Sequence, residues 1–222
     1  MIHLWRIKLN ASEEINKKCQ SVLGEREIAR LDSFPFDREK KSYLISQGIL
    51  RMLLGAYTCK NPQDVQMGRH SRGKPYSADD RKLFFNMSNS GDYCVFAFCR
   101  VGEVGIDLEM TRELSDLEQL IRTNFTESEQ RFINAIPAER MRRFFLFWTI
   151  KESYLKATGE GMSIAPHNLE FDASGKGIRL LSVNGVEDFE DWCFDECSFP
   201  GYVRMLTHKV DTALAIRDLE LV

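Results

Sequence analysis

The chain has 222 residues, 43% of them apolar and 28% charged, an ordinary globular balance that excludes disorder and fibrous architectures. No apolar run reaches the length that a helical membrane span requires. The net charge of −3 is unevenly spread: up to Glu103, 17 Lys and Arg face 12 Asp and Glu, a net of +5, whereas from Val104 onward 13 face 21, a net of −8.

The opening Met1-Ile2-His3-Leu4-Trp5-Arg6-Ile7-Lys8-Leu9 alternates like a strand and has no small-residue cleavage site, so it does not read as a signal peptide. Asn10-Ala11-Ser12-Glu13 then offers a capping box for a helix to about residue 23, and a short helix is expected at 25–31. Asp37 can cap a long helix to about residue 57, with Ile45, Ile49, Met52, Leu53 and Ala56 on one stripe. Polar loop text covers 60–82. Strands at 83–88 and 93–100 enclose the turn Asn89-Ser90-Gly91-Asp92.

After a strand around 104–109, helical text covers 115–123, and Thr126-Glu127-Ser128-Glu129 is a second capping box opening a helix to about 135. The longest helix is expected from about 138 to 158, stopped by Gly159. Strands follow at 169–172, 177–181, 192–197, 202–207 and 212–217. Strands in adjacent runs, without regular βαβ alternation, indicate the α+β class. Each half repeats one order: a leading strand, helices with the longest last, then strands. That order suggests two similar halves, 1–103 and 104–222.

Six cysteines (Cys19, Cys59, Cys94, Cys99, Cys193, Cys197) without an export signal suggest reduced thiols in the cytoplasm. The Cys94/Cys99 and Cys193/Cys197 spacings are not metal knuckles, and core thiols are the favoured reading. A basic half beside an acidic one suits a polyphosphate held with a divalent metal, as it suits a chance unevenness of a solvated surface. The acidic total argues against a long duplex nucleic acid as ligand.

Asp107-Leu108-Glu109 lies in strand text, where residues two apart share a face, so two hard oxygen donors point together while Leu108 turns to the core. Alone the pattern also describes an exposed strand face. Trp148, Glu152 and Lys156 follow i, i+4, i+8 spacing along one helix face. A carboxylate there can bind metal or take a proton, and the ammonium can neutralise phosphate; a core Trp beside a surface ion pair has the same spacing. Gly159-Glu160-Gly161 is a helix stop that also admits close backbone approach. Arg69, His70, Arg72 and Lys74 crowd an extended segment before Pro75. Asn86-Met87-Ser88-Asn89-Ser90-Gly91 carries short donors into a turn, a hairpin or an anion nest.

Singly these features are weak; their series is not. Gly73-Lys74-Pro75, Phe85-Asn86-Met87-Ser88-Asn89-Ser90, Gly105-Ile106-Asp107-Leu108-Glu109, Phe125-Thr126-Glu127-Ser128-Glu129 and Trp148-Thr149-Ile150-Lys151-Glu152-Ser153-Tyr154-Leu155-Lys156 occur in that order. The series resembles the 4′-phosphopantetheinyl transferases of the long, Sfp-like class over roughly residues 1–217. The resemblance implies a pseudo-dimeric monomer whose α+β halves are related by a pseudo-twofold. The half 1–103 would be the coenzyme A side and 104–222 the metal and catalytic side.

It further implies an enzyme that moves 4′-phosphopantetheine from coenzyme A to a serine of an apo acyl or peptidyl carrier protein, releasing adenosine 3′,5′-bisphosphate. By similarity, Asp107, Glu109 and Glu152 match the Mg²⁺ ligands (Mn²⁺ being an alternative), and Lys156 matches the lysine on the α-phosphate. Gly73, Lys74 and Pro75 match the adenine-side loop, Ser88 matches a pyrophosphate contact, and Arg51 and Lys41 match cationic contacts to the coenzyme A phosphates. Glu152 and Lys156 are the implied catalytic pair.

Where the family has His, this chain has Asn89, which donates a hydrogen bond but never carries charge. That departure implies weaker coenzyme A binding, and it is the one feature favouring a non-catalytic paralogue that binds coenzyme A or a carrier. A Mg²⁺-dependent nuclease is disfavoured by the acidic total and the absence of an aromatic–basic stripe. The cluster Arg140, Arg142, Arg143 is a candidate docking patch for an acidic carrier, or plain solubilisation of the helix start.

Overall fold

The computed structural model describes residues 1–175, 177–187, 191–209 and, for the backbone alone, 216–221. Strand β1 (Ile2–Lys8) leads into α1 (Glu13–Ser21), α2 (Glu25–Asp32) and α3 (Asp37–Thr58). A short ribbon β2 (Met67–Arg69) and β3 (Pro75–Ser77) precedes β4 (Phe84–Ser90) and β5 (Tyr93–Cys99). The second half runs β6 (Val104–Met110), α4 (Leu117–Asn124), α5 (Glu127–Asn134) and α6 (Arg140–Thr158). It ends with β7 (Leu169–Asp172), β8 (Arg179–Val183), β9 (Val186–Glu187), β10 (Cys193–Glu196), β11 (Tyr202–His208) and β12 (Ile216–Leu221).

The fold is α+β, built as two halves of like plan. One sheet has the order β12-β1-β5-β4, and the other β10-β11-β6; β7-β8-β9 form a separate small sheet. β12 comes from the end of the chain yet pairs parallel with β1, so the first half's sheet is completed by the second half's last strand. Of the strand expected at 212–217, residues 212–215 lie outside the described residues.

Three cores explain the strand sequences. Cys94, Phe96 and Phe98 of β5 pack with Ile45, Ile49 and Leu53 of α3, while Val95, Ala97 and Cys99 pack on Val104, Ile106 and Leu108 of β6. β5 therefore reads as an unbroken apolar run because both of its faces are buried. A third, aromatic-rich core joins Phe144, Phe147 and Ile150 of α6 to Val203 and Met205 of β11. Each long helix thus covers the outer face of its own sheet, and the two sheets meet through a shared apolar layer.

Several sequence expectations shift. α3, with 22 residues, is longer than α6, with 19, because the start of the latter is a separate 3₁₀ turn at Pro137–Glu139. Ser12 caps α1 through the Ile15 N–H, so position N3 is not Glu13 and the first capping box does not form. Asp37 is the first helical residue of α3 and makes no side-chain cap; Phe36 precedes it. The box at Thr126 and Glu129 does form. The segment read as polar loop contains the β2–β3 ribbon, whose three-residue strands are too short to show a period. Cys19, Cys94 and Cys99 are buried thiols, but Cys59 and Cys193 are exposed, so the core reading fails for Cys193, while half-buried Cys197 packs at the edge of the shared core.

Two contacts fix α6 against the sheet and its surroundings. A Cβ on Gly105 would lie 2.1 Å from the Ser153 carbonyl oxygen and 2.4 Å from the Ala157 nitrogen, so β6 packs backbone to backbone on the helix. On the opposite side of α6, the Lys151 ammonium, 1% exposed, donates to Glu129 Oε2 at 2.6 Å and to the carbonyls of Asn124, Pro166 and Leu169. Glu129 in turn accepts from the Thr126 and Phe171 N–H groups, which ties α5, β7 and the 166–169 turn to one buried charge pair.

Gly105→Ala is expected to cost about 3 kcal/mol or more in urea unfolding, because the clash is with backbone that cannot move aside. Gly177→Ala, where nothing lies within 4 Å, should stay within about 0.5 kcal/mol. For the buried pair, Lys151→Met and Glu129→Gln should each cost about 3–5 kcal/mol by stranding one charge. The double variant, which strands none, should cost clearly less than the sum; strict additivity in the double-mutant cycle would show that the two do not act as a pair.

Candidate functional site

β4 and β6 are edge strands of different sheets, and no backbone ladder joins them. Their seam is made by side chains two apart on β4. The Ile106 N–H donates to Asn86 Oδ1 at 2.9 Å, Ser88 Oγ donates to Asp107 Oδ1 at 3.0 Å, and the Met110 N–H donates to Ser90 Oγ at 3.0 Å. Ser90 Oγ also donates to Glu109 Oε2 at 2.9 Å. The seam thereby grips both carboxylates of the Asp107-Leu108-Glu109 strand. Leu108 turns into the shared core as its strand position requires.

Helix α6 supplies the other wall. Lys156 Nζ donates to Asp107 Oδ1 at 2.6 Å and to Ser88 Oγ at 3.0 Å. Asp107 is buried, and its Oδ2 has no hydrogen-bond partner. Burial raises the Glu152 carboxyl above its ordinary range, and the nearby Asp107 and Glu109 charges add to that against the opposing pull of Lys156. Glu109 is raised for like reasons, burial first and Asp107 second, opposed by Ser90 and Arg112. The three carboxylates therefore feel one another electrostatically. Among the described residues, no three His, Cys, Asp or Glu side chains stand as a ready metal-ligand cluster. The donor chemistry nonetheless fits a hard cation: two carboxylates whose charged forms are disfavoured, and a third with one oxygen buried and unsatisfied.

Glu152 and Lys156 of this cluster line a cleft of about 490 Å³ between the halves. Lys74, Pro75 and Asn86 line it from the first half, with Glu152, Leu155, Lys156, Gly159 and the 164–166 turn from the second. The β2–β3 ribbon is fastened over the end of α6. Lys74 Nζ donates to the Ala157 carbonyl at 2.6 Å and pairs with Glu103, and Arg72 pairs with Glu160. Burial pulls the Lys74 pKa down, opposed by Glu103.

Of the residues singled out by sequence, Asp107, Ser88, Glu152, Lys156, Lys74 and Pro75 meet at this cleft or its floor. Gly73 sits at the ribbon's turn with a φ of +92°. Asn89 is exposed and lies opposite Cys94, on the face of β4 turned from Ser88. Lys41 is exposed on α3. Arg51 is elsewhere: it is buried against Glu27 at 2.5 Å and donates to the carbonyls of Pro62, Gln63 and Val65, so it braces the first half instead of lining the cleft. The Lys74 ammonium is likewise committed to the protein, as a cap on α6. Arg140, Arg142 and Arg143 pair with Glu118, Glu196 and Glu139 respectively, which removes them as an unpaired cationic patch.

Sequence reasoning passed over Arg112, named Asn86 only as part of a motif, and gave no pairing between Arg72 and Glu160. Only Asn86 had a signal, its two-residue offset from Ser88 and Ser90 on one strand face. Arg112 donates to Glu109 Oε2 at 3.3 Å from the loop after β6.

Comparison with known proteins agrees with the motif series. The family described as the 4′-phosphopantetheinyl transferase superfamily matches residues 103–207, and that described as 4′-phosphopantetheinyl transferase, N-terminal, matches 9–100. The 4′-phosphopantetheinyl transferase HetI of Nostoc sp. (strain PCC 7120) is 37% identical over 166 residues, which are 73% of this chain and 70% of that one. The L-aminoadipate-semialdehyde dehydrogenase-phosphopantetheinyl transferase of Mus musculus is 30% identical, over 77% of this chain and 61% of its own length. A phosphopantetheinyl transferase of Thraustochytrium sp. is 27% identical over 77% of this chain and 65% of its own. The chain thus spans under two thirds of the length of these last two relatives. With both halves matched and a curated relative at this identity, the chain belongs to the 4′-phosphopantetheinyl transferase superfamily.

Proposed function

We propose that this chain transfers the 4′-phosphopantetheine moiety of coenzyme A to a serine of an apo acyl or peptidyl carrier protein. The observation that carries the reading is the cleft between the halves, where Glu152 and Lys156 line one wall and the Lys156 ammonium reaches Asp107 and Ser88 behind it. In the transfer, the serine oxygen forms a bond to the β-phosphorus of the pyrophosphate. The bond to the bridging oxygen breaks, and adenosine 3′,5′-bisphosphate leaves with the electron pair.

The pyrophosphate is a poor electrophile because its own charge repels a nucleophile. Asp107, Glu109 and Glu152 would hold Mg²⁺ (or Mn²⁺), which supplies charge neutralisation at the phosphate oxygens. Lys156 brings an ammonium to the charge that grows on the leaving group, and its bonds to Asp107 and Ser88 hold it in place beforehand. Glu152, whose carboxyl is raised by burial, is the base for the serine proton. The contribution of the chain is mainly positioning and electrostatics, as expected for phosphoryl chemistry. Because both walls of the cleft come from one chain, a single copy suffices in this reading. Among the described residues no helix is long and apolar enough to cross a membrane. A cytoplasmic setting, with reduced thiols and no nucleic-acid ligand, completes the proposal.

Incubation with apo carrier protein, coenzyme A and Mg²⁺ should raise the carrier's mass by one phosphopantetheine; coenzyme A binding with no gain on any carrier tested would instead favour a non-catalytic binder. Asp107→Ala should lower kcat/KM by about a thousandfold or more. Retention of activity to within tenfold would remove Asp107 from the machinery. Asn89→His should tighten coenzyme A binding about three- to tenfold at pH 6 and lose that gain by pH 8, since imidazole is cationic only below its pKa. An affinity unchanged across that range in calorimetry would show that position 89 does not meet a phosphate.

A further inference from the structure

Each strand carboxylate holds a cation, and only one of those cations takes part in the transfer proposed above. Asp107 has Lys156, whose Nζ stands 2.6 Å from Oδ1. Glu109 has Arg112, whose Nη1 stands 3.3 Å from Oε2. The loop after β6 pins that guanidinium in place. Its Nη1 also donates to the Met110 carbonyl at 3.1 Å, and its Cζ lies 5.7 Å from the centre of the Phe145 ring. Ser90 Oγ donates to the same Glu109 Oε2 at 2.9 Å, so that oxygen already accepts two bonds.

A hard cation cannot be bound by these groups as they stand. No three of the carboxylates form a ready ligand cluster among the described residues, so at least one must turn to complete a set. Asp107 is poorly placed to do so, with a side chain 6% exposed and fixed by Ser88 and Lys156. The Glu109 side chain is 23% exposed, and its outer restraint, Arg112, is 47% exposed, a pair that parts at small cost. Burial and the Asp107 charge disfavour the Glu109 anion, and Arg112 offsets them. A guanidinium is always charged, so the offset is permanent, and it repels any second cation brought to the same oxygen.

We infer that Arg112 is a positioning residue that acts through Glu109, holding that carboxylate as a stand-in cation and thereby lowering the affinity of the site for a divalent ion. The inference rests on the metal assignment in the function proposed above and adds to it a residue that sets how tightly the ion is held. Two cations, Lys156 and Arg112, then stand against three carboxylates, so much of the charge that would draw in an ion by itself is already balanced.

Arg112→Gln keeps a hydrogen-bond donor and removes the charge, whereas Arg112→Lys keeps the charge. Mn²⁺ binding, followed at neutral pH by loss of the free-ion signal in electron paramagnetic resonance, reads the site without substrate or turnover. The Gln variant should bind Mn²⁺ about 3- to 10-fold more tightly than the unsubstituted protein, and the Lys variant should stay within about twofold of it. A merely structural support for Glu109 gives the opposite sign, weaker binding once the support is cut. Equal affinity in all three proteins, or weaker binding by the Gln variant, overturns the inference.

Asp107→Ala, run beside them, separates the two readings. Mn²⁺ binding that is lost in that variant but indifferent to residue 112 overturns this inference alone. An unsubstituted protein that binds no Mn²⁺, or binds it equally well without Asp107, removes the metal assignment and this inference with it. Tighter Mn²⁺ binding by the Gln variant with no carrier ever modified leaves the role of Arg112 standing and removes the transferase.

Discussion

Two sheet edges that meet without a backbone ladder need something else to set their register, and here it is three short side chains on one strand. Asn86, Ser88 and Ser90 project at the two-residue period of β4 and reach the Ile106 amide, the Asp107 carboxylate, and the Met110 amide with the Glu109 carboxylate. A slip by one residue would turn all three into the opposite face and leave the edge of β6 with unpaired amides. The same bonds that close the seam therefore fix the positions of both strand carboxylates. Gly105 completes the constraint from the other side, since its missing side chain lets β6 lie directly on α6, within reach of Lys156.

The charges on and around α6 divide by their partners. Lys151 is wholly buried against Glu129 and three carbonyls, an arrangement that holds structure and has no opening toward the cleft. Lys74 comes from the other half of the chain to cap the same helix at Ala157. Lys156 differs in that its partner, Asp107, keeps a second oxygen buried and unsatisfied. Saturated charges stabilise; the unsatisfied oxygen is the feature on which the proposed metal site rests. The Glu109 and Glu152 carboxyls, raised by burial and by the Asp107 charge, belong to the same neighbourhood.

Much of this was legible in the sequence because it rests on local periods. The two-residue period put Asp107 and Glu109 together with Leu108 inward, the i, i+4 period put Glu152 and Lys156 on one face of α6, and the capping box at Thr126 began α5 as written. What the sequence could not supply depends on long-range partners. Nothing in Arg51 distinguishes a phosphate contact from an internal brace until Glu27 and the 62–65 carbonyls appear around it. Lys74 and Ala157 are 83 residues apart, and the pairing of β12 with β1 joins the chain's two ends. The ribbon at 67–77 was missed because its strands are held by pairing with each other, not by an apolar period.

The alternation of β4 also explains how one position of this strand can depart from the family pattern without disturbing its neighbours. Ser88 lies opposite Val95, whose side chain is in the core between the sheets, whereas Asn89 lies opposite Cys94, in the core beneath α3. Asn89 consequently shares no hydrogen bond with the seam, and its substitution leaves the grip on Asp107 and Glu109 intact. On the proposed reading, the inner face of the strand serves the chemistry and the outer one serves affinity. A strand divided in this way can tune how tightly it holds a nucleotide while its carboxylates keep their geometry.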